Sequence, residues 1–456
     1  MILTRPIIRG LTLLILALPA GRLGAYACTG GDTSLFSGSR PDTGVKSSGF
    51  QVHVQGTIAA QHQFPFHDPY QGPLSLMARE QPRMSFTATV FAGLRLWKGA
   101  AVYVDPELSA GRGLSGTSGV AGFPNGEVYR VGDPHPVLNL ARAYLTQVLP
   151  LSGASSWSSE DPSDVSQPRA AERLELSIGK FALSDFFDAN SYSHDPRTQF
   201  LNWALMDAGA WDYAADTRGY TMGTVAAFYR PDWNLRAAFV LVPTYANGPV
   251  LDPRLGKAHS LSLQWEQQVL LLRRPVTWRL ILWNNMARMG NYLQALKQDP
   301  AAPDIIQTRT YGRGKSGVVA NLEWAWSRQL GFFTRYSWND GQNETWAFTE
   351  IDRSLQSGFH LDGAAWGRTA DALGLAWVIN GISVPHREYL AAGGLGFMLG
   401  DGHLRYGPES ITELYYSFRA IHGVFLSPDY QFILHPGYNK DRGPVSVAAL
   451  RLHVEW

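Results

Sequence analysis

The chain has 456 residues, of which 45% are hydrophobic, 12% aromatic and only 17% charged, against roughly 25% charged in an ordinary soluble domain. With 39 Lys and Arg against 38 Asp and Glu, the net charge is +1, which excludes a sequence-wide basic field for nucleic acid. Fifteen Trp, 19 Tyr and 21 Phe beside 46 Gly and 27 Pro are too aromatic for a disordered chain and too rich in turn formers for a helical bundle, so an all-β protein is expected.

At the N-terminus, Arg5 and Arg9 precede the apolar run Leu11 to Pro19, and Ala25-Tyr26-Ala27 supplies a small-residue cleavage signal. This is the pattern of an export signal over residues 1–27. The run falls short of the roughly 20 residues a membrane helix needs, and Arg22 interrupts its continuation. Cys28, the only cysteine, would open the mature chain and can form no internal disulfide. Ala25 and the bulky Tyr26 depart from the pattern that precedes a lipidated cysteine. Residues 28–49 read as a flexible N-terminal segment and 50–456 as the folded domain.

Sixteen candidate strands follow, starting near Phe50, Met84, Ala100, Leu138, Glu172, Gly219, Trp233, Ser260, Val276, Gly317, Leu330, Ser354, Asp371, Ile411, Val424 and Val445. Alternation with period two marks strands whose faces meet different surroundings. In the second strand, Met84, Phe86, Ala88, Val90, Ala92, Leu94 and Leu96 oppose Ser85, Thr87, Thr89, Gly93 and Arg95. After the third, the stretch Asp105 to Arg130 holds enough glycine for a loop or hairpin tucked into a lumen. Leu149 to Ala171, with the Ser- and Pro-rich insertion Ser152 to Arg169, reads as a long outer loop.

The stretch Gly179 to Tyr220 loses its alternation after Phe181, which fits an irregular piece held inside a barrel. Leu261, Leu263, Trp265 and Val269 oppose Ser262, Gln264, Glu266 and Gln268. The most apolar run, Val269 to Trp283, is broken by Arg273, Arg274 and Pro275, which no membrane helix tolerates but two strands and a tight turn do. Val242 to His259 and Ala287 to Arg313 read as further long loops. Arg230-Pro231-Asp232, Ser327-Arg328-Gln329 and Ile421-His422-Gly423 read as tight turns. The last strand alternates Ala448, Leu450, Leu452, Val454 and Trp456 with Arg451, His453 and Glu455, and its terminal aromatic resembles the signal that barrel-assembly machinery reads on outer-membrane barrels.

An even strand count, alternating short and long connections and an export signal specify a transmembrane antiparallel β-barrel with loops folded into the lumen. The alternative, a large soluble sandwich or propeller, would carry Lys, Glu and Asp on its polar faces; here those faces carry Ser, Thr, Gln and Asn punctuated by Arg. They bring Arg95, Arg142, Arg173, Arg236, Arg279, Arg335, Arg419 and Arg451 inward with Glu175, Glu266, Glu323, Glu413 and Glu455. Such a wall either replaces the hydration of a polyhydroxyl solute or pairs with itself to hold the barrel and its loops in shape. Gly314-Lys315-Ser316 is no phosphate loop, because Arg309 stands where its first glycine belongs. No G-x-S-x-G or H-E-x-x-H string occurs, and His194-Asp195 beside Pro196 and Arg197 reads as a turn. No catalytic residue, cofactor or metal is expected.

The strings GLRLW at Gly93–Trp97, PE at Pro106-Glu107, GLSGTSGVAGFPNGE at Gly113–Glu127, GKF at Gly179–Phe181, DPRTQFLNWA at Asp195–Ala204, DYAAD at Asp212–Asp216, NGIS at Asn380–Ser383, AAGGLG at Ala391–Gly396 and NKDRGPVS at Asn439–Ser446 resemble the carbohydrate-selective porin family, OprB, over nearly all of Phe50 to Trp456. The resemblance implies a sixteen-stranded outer-membrane barrel, narrowed by inward loops, that passes mono- or oligosaccharides by diffusion. It carries over Glu107, Arg112, Glu127, Lys180 and Arg197 as constriction candidates. Arg95 and Arg142 join them from the alternation, and Asn202 and Trp203 from the DPRTQFLNWA string. The GFPNGE and DPRTQFLNW strings point to a branch other than the glucose porins. An exopolysaccharide-export pore and a general porin are the alternatives. Outer-membrane lipid is an expected partner and a homo-oligomer is left open.

Overall fold

The computed structural model describes residues 49–456 except 129–134, 153–154, 158–164 and 166–167. The expected export signal, residues 1–27, and the segment after it as far as residue 48 lie outside the described residues.

Eighteen strands are present among the described residues, and sixteen of them close into one antiparallel barrel. These are β1 (Phe50–Gln63), β2 (Arg83–Trp97), β3 (Ala100–Gly111), β4 (Val137–Pro150), β7 (Arg173–Phe181), β8 (Thr221–Tyr229), β9 (Trp233–Val240), β10 (His259–Leu271), β11 (Arg274–Ala287), β12 (Arg313–Ala325), β13 (Leu330–Asn339), β14 (Arg353–Asp362), β15 (Ala372–Gly381), β16 (Glu409–Ile421), β17 (Val424–Leu434) and β18 (Val445–Glu455). The remaining two, β5 (Ser155–Trp157) and β6 (Pro168–Ala170), pair as a separate ribbon. The strand starts agree with those read from the alternation to within four residues. No helix of the described residues is long and apolar enough to cross a membrane.

The alternation becomes two surfaces. Outward Leu94, Leu261, Leu282 and Leu450 are exposed, whereas inward Thr89, Gln264, Arg335 and Arg451 are buried. That inversion of the usual soluble pattern is what a barrel surrounded by lipid and filled with its own loops requires. Closure is made where β1 meets β18: Val54 and Trp456 exchange both backbone hydrogen bonds, at 3.1 and 2.9 Å. No edge of the barrel sheet is left unpaired. Exposed Trp97, Trp326, Trp366 and Trp456 gather near the tight-turn end, and Trp233 stacks on Trp265 at 4.6 Å. Such rings mark a membrane interface.

Two expectations are corrected. The connection 149–171, with its insertion Ser152–Arg169, is not a loop at the long-loop end. β3 leaves the Trp97–Ala100 turn and β4 returns antiparallel to it, so Pro150 is back at the tight-turn end and β5 and β6 follow there. The length of the connection misled; the parity of strand crossings decides. Part of it enters the barrel, where buried Val165 packs on Ala101 and Tyr103 and its N–H donates to the Tyr103 hydroxyl at 3.2 Å. The turn expected at Arg273-Arg274-Pro275 lies one residue earlier, at Leu272 and Arg273, both with positive φ, and Arg274 and Pro275 already belong to β11.

Candidate functional site

The upper lumen is filled by two loop segments, 112–128 and 182–220, whose close packing the glycines permit. Gly119 has φ +84, and a Cβ there would meet the Leu76 backbone N at 2.0 Å. A Cβ on Gly122 would stand 2.6 Å from Ile411. A wall carboxylate holds the backbone of the first loop here: Glu409 on β16 accepts the N–H groups of Ala121 and Gly122 at 3.0 and 2.7 Å.

The second loop is pinned from every side. Glu413 on β16 accepts the N–H groups of Leu201 and Asn202. Arg451 on β18 donates to the carbonyls of Pro196 and Gln199 at 2.6 and 2.7 Å. Buried Arg335 on β13 reaches Asp188 at 3.2 Å and donates to the carbonyls of Leu205 and Ser193. Glu323 on β12 accepts the N–H of Ser191. The helical turn α1 (Trp203–Met206) is capped by Asn202, whose Oδ1 accepts from the Ala204 N–H at 2.9 Å. Inward Arg and Glu therefore satisfy the polar groups of an irregular backbone that water cannot reach. Arg279 instead bridges Glu266 and Glu323 along the wall, at 2.6 and 3.3 Å.

The two loops bond each other: Gly126 N–H to the Leu201 carbonyl at 2.6 Å and Trp203 N–H to the Phe123 carbonyl at 2.9 Å. This contact sets Glu127 against Arg197. The Arg197 guanidinium spans two carboxylates, Glu127 of the first loop at 2.9 Å and Glu107 on β3 at 3.0 Å. Burial works against its charge, but Glu127 and Glu107 outweigh that cost and the net direction is towards a more firmly held proton. Thr87 and Thr89 on β2 donate to Glu127 and Glu107, and the Tyr220 hydroxyl donates to Glu107 at 3.2 Å.

Beside this clamp, Arg142 on β4 grips Asp185 through two bonds of 2.7 and 2.6 Å, with Asp105 at 3.9 Å. The Tyr220 ring has two cations close to it, Arg142 at 5.7 Å and the Lys180 ammonium at 5.6 Å from its centre. An aromatic wall continues from here: Tyr144 stacks on Tyr103 at 4.8 Å and meets Phe186 edge-on. Apart from Thr89, Asp105 and Lys180, these groups line a cavity of about 720 Å³. It offers charged donors, charged acceptors and ring faces on one surface, which is a set of replacements for the water shed by a polyhydroxyl solute.

Of the residues singled out from the sequence, Glu107, Glu127, Arg142, Arg197 and Trp203 line this cavity, and Lys180 stands beside it over Tyr220. Asn202 is fully buried behind it, donating to the Gly122 carbonyl and Gln431. Arg112 is exposed at the end of β3 and Arg95 lies towards the tight-turn end, both away from the cavity. Tyr220, Asp185, Asp207 and Asp216 also line it and were not singled out. Their strands and loops meet only in three dimensions; the sequence cues were the loss of alternation after Phe181 and, for Asp216, its place at the end of the DYAAD string.

The profile of the carbohydrate-selective porin family OprB matches residues 83–456. Among solved structures, that of Pseudomonas putida OprB at high pH is similar with a TM-score of 0.63 and 15% identity, over 89% of this chain and 94% of that one. The outer-membrane channel DcaP of Acinetobacter baumannii is similar at a TM-score of 0.48 and 10% identity, over 89% of this chain and 97% of that one. No curated protein matches the chain. With its closed sixteen-strand barrel and a family match across most of its length, the chain belongs to the OprB family of carbohydrate-selective porins.

Proposed function

We propose that the protein is an outer-membrane channel through which mono- and oligosaccharides diffuse passively, with the clamp of Arg197, Glu107 and Glu127 as its narrowing and the adjoining cavity as its solute-binding segment. The observation that carries this reading is one guanidinium held between two carboxylates from different elements on the wall of a cavity that also presents tyrosine rings. Arg197 and Arg142 donate to sugar hydroxyls, Glu107 and Glu127 accept from them, and Tyr144 and Trp203 offer apolar faces to the ring C–H groups. Arg95 and Arg112, away from the cavity, are assigned no contact with the solute. The wall of mixed sign favours sugar passage over export of an acidic polymer, which calls for a uniformly basic path.

Residues 1–27 direct export and are removed, short turns face the periplasm, and Trp456 is the handle taken by the barrel-assembly machinery. Swelling of proteoliposomes in isosmotic neutral sugars tests the reading. Rates should fall steeply with sugar size, and Arg197→Gln should change the rates for sugars more than the conductance for small ions. Equal swelling for every sugar that fits would identify a general porin.

A further inference from the structure

The cavity wall is not balanced in charge. Seven carboxylates and four guanidiniums line it among the described residues, and three of those guanidiniums are engaged by carboxylates of the same wall. Arg197 is shared by Glu107 and Glu127, Arg142 is taken by Asp185, and Arg169 faces Glu175 at 3.4 Å. Arg173 on β7 holds Glu175 as well, at 2.6 Å, and the fourth guanidinium, Arg218, lies with Lys180 near Asp216. Three carboxylates of the second loop, Asp195, Asp207 and Asp216, are gripped by no guanidinium of this wall. Asp216 accepts the backbone N–H groups of Arg218 and Tyr220. Asp195 accepts the N–H of Arg197 and the Thr198 hydroxyl. Asp207 is 1% exposed and its Oδ1 accepts no hydrogen bond; the imidazole of His194 lies 3.4 Å from it. Fixed charge inside a narrow, low-dielectric wall is poorly screened, so a surplus of one sign concentrates solutes of the other and depletes its own.

We propose that the channel sorts its solutes by charge through Asp195, Asp207 and Asp216, admitting cationic and neutral sugars, such as hexosamines and hexoses, and turning away uronates of the same size. The inference rests on the carbohydrate-channel reading for its substrates, but the selectivity itself is measurable with inorganic ions. In planar bilayers under a potassium chloride gradient, the reversal potential should report potassium favoured over chloride by at least about threefold. Channel-block rates should run glucosamine, then glucose, then glucuronate, with at least about a threefold spread between the first and last.

Asp207→Asn with Asp216→Asn should bring both ratios towards one. Asp216→Asn alone, at the less deeply placed site, should do so in part and serves where the double variant fails to fold. A chloride-favouring reversal potential, or glucuronate blocking as fast as glucosamine, overturns the proposal. If no sugar blocks the current, the carbohydrate reading falls, and the reversal potential still decides the sign of the filter.

Discussion

Removing the Arg197 guanidinium would leave Glu107 and Glu127 facing each other without the cation that joins them. Hydrogen bonds to charged groups are worth about 1.5–3 kcal/mol each, so Arg197→Gln should weaken sugar binding by roughly 10-fold or more, read as a shift in the half-blocking sugar concentration. Asp216 lies on a loop, where burial raises its carboxyl above the ordinary range against the lowering effect of backbone N–H bonds and of nearby Lys180 and Arg218. A raised carboxyl takes up its proton earlier as pH falls. Cation preference should therefore decline on acidification at a higher pH than an ordinary aspartate would give, and Asp216→Asn should flatten that decline. Glu107, Glu127 and Arg197 could be named from the sequence because they sit in strings shared with a family. Tyr220 and Asp185 could not, because their meaning comes from Arg142 and Lys180, which reach them from other strands.

At the scale of the element, alternation made the strands legible, since lipid outside and loops inside impose opposite chemistry on successive residues. It did not reveal which inward charges meet solute. Arg335, Arg451 and Glu413 spend their hydrogen bonds on the backbone of the second loop, and a period-two pattern reads the same for either use. Arg335→Met should accordingly release that loop at Asp188 and Ser193, raising ion conductance and opening the loop to protease while the barrel stays folded. At the β10–β11 turn, Leu272 and Arg273 both occupy positive φ, a conformation that costs non-glycine residues about 1–2 kcal/mol each. Replacing the pair by Asn-Gly, the pair suited to such a hairpin, should raise the unfolding midpoint in urea with conductance unchanged.

For the whole molecule, closure and function are joined. The backbone pairing of Val54 with Trp456 seals the barrel, and only a sealed barrel presents a continuous inner wall on which two loops can be fixed. Those loops, rather than the width of sixteen strands, then define the path, bringing Glu107, Glu127 and Arg197 together from β3 and two separate loops. The most direct test is the ion current of single channels in planar bilayers while neutral sugars of increasing length are titrated. The account predicts saturable block, with a half-blocking concentration that depends on sugar size and moves in Arg197→Gln. Open channels whose current ignores every neutral sugar would contradict it.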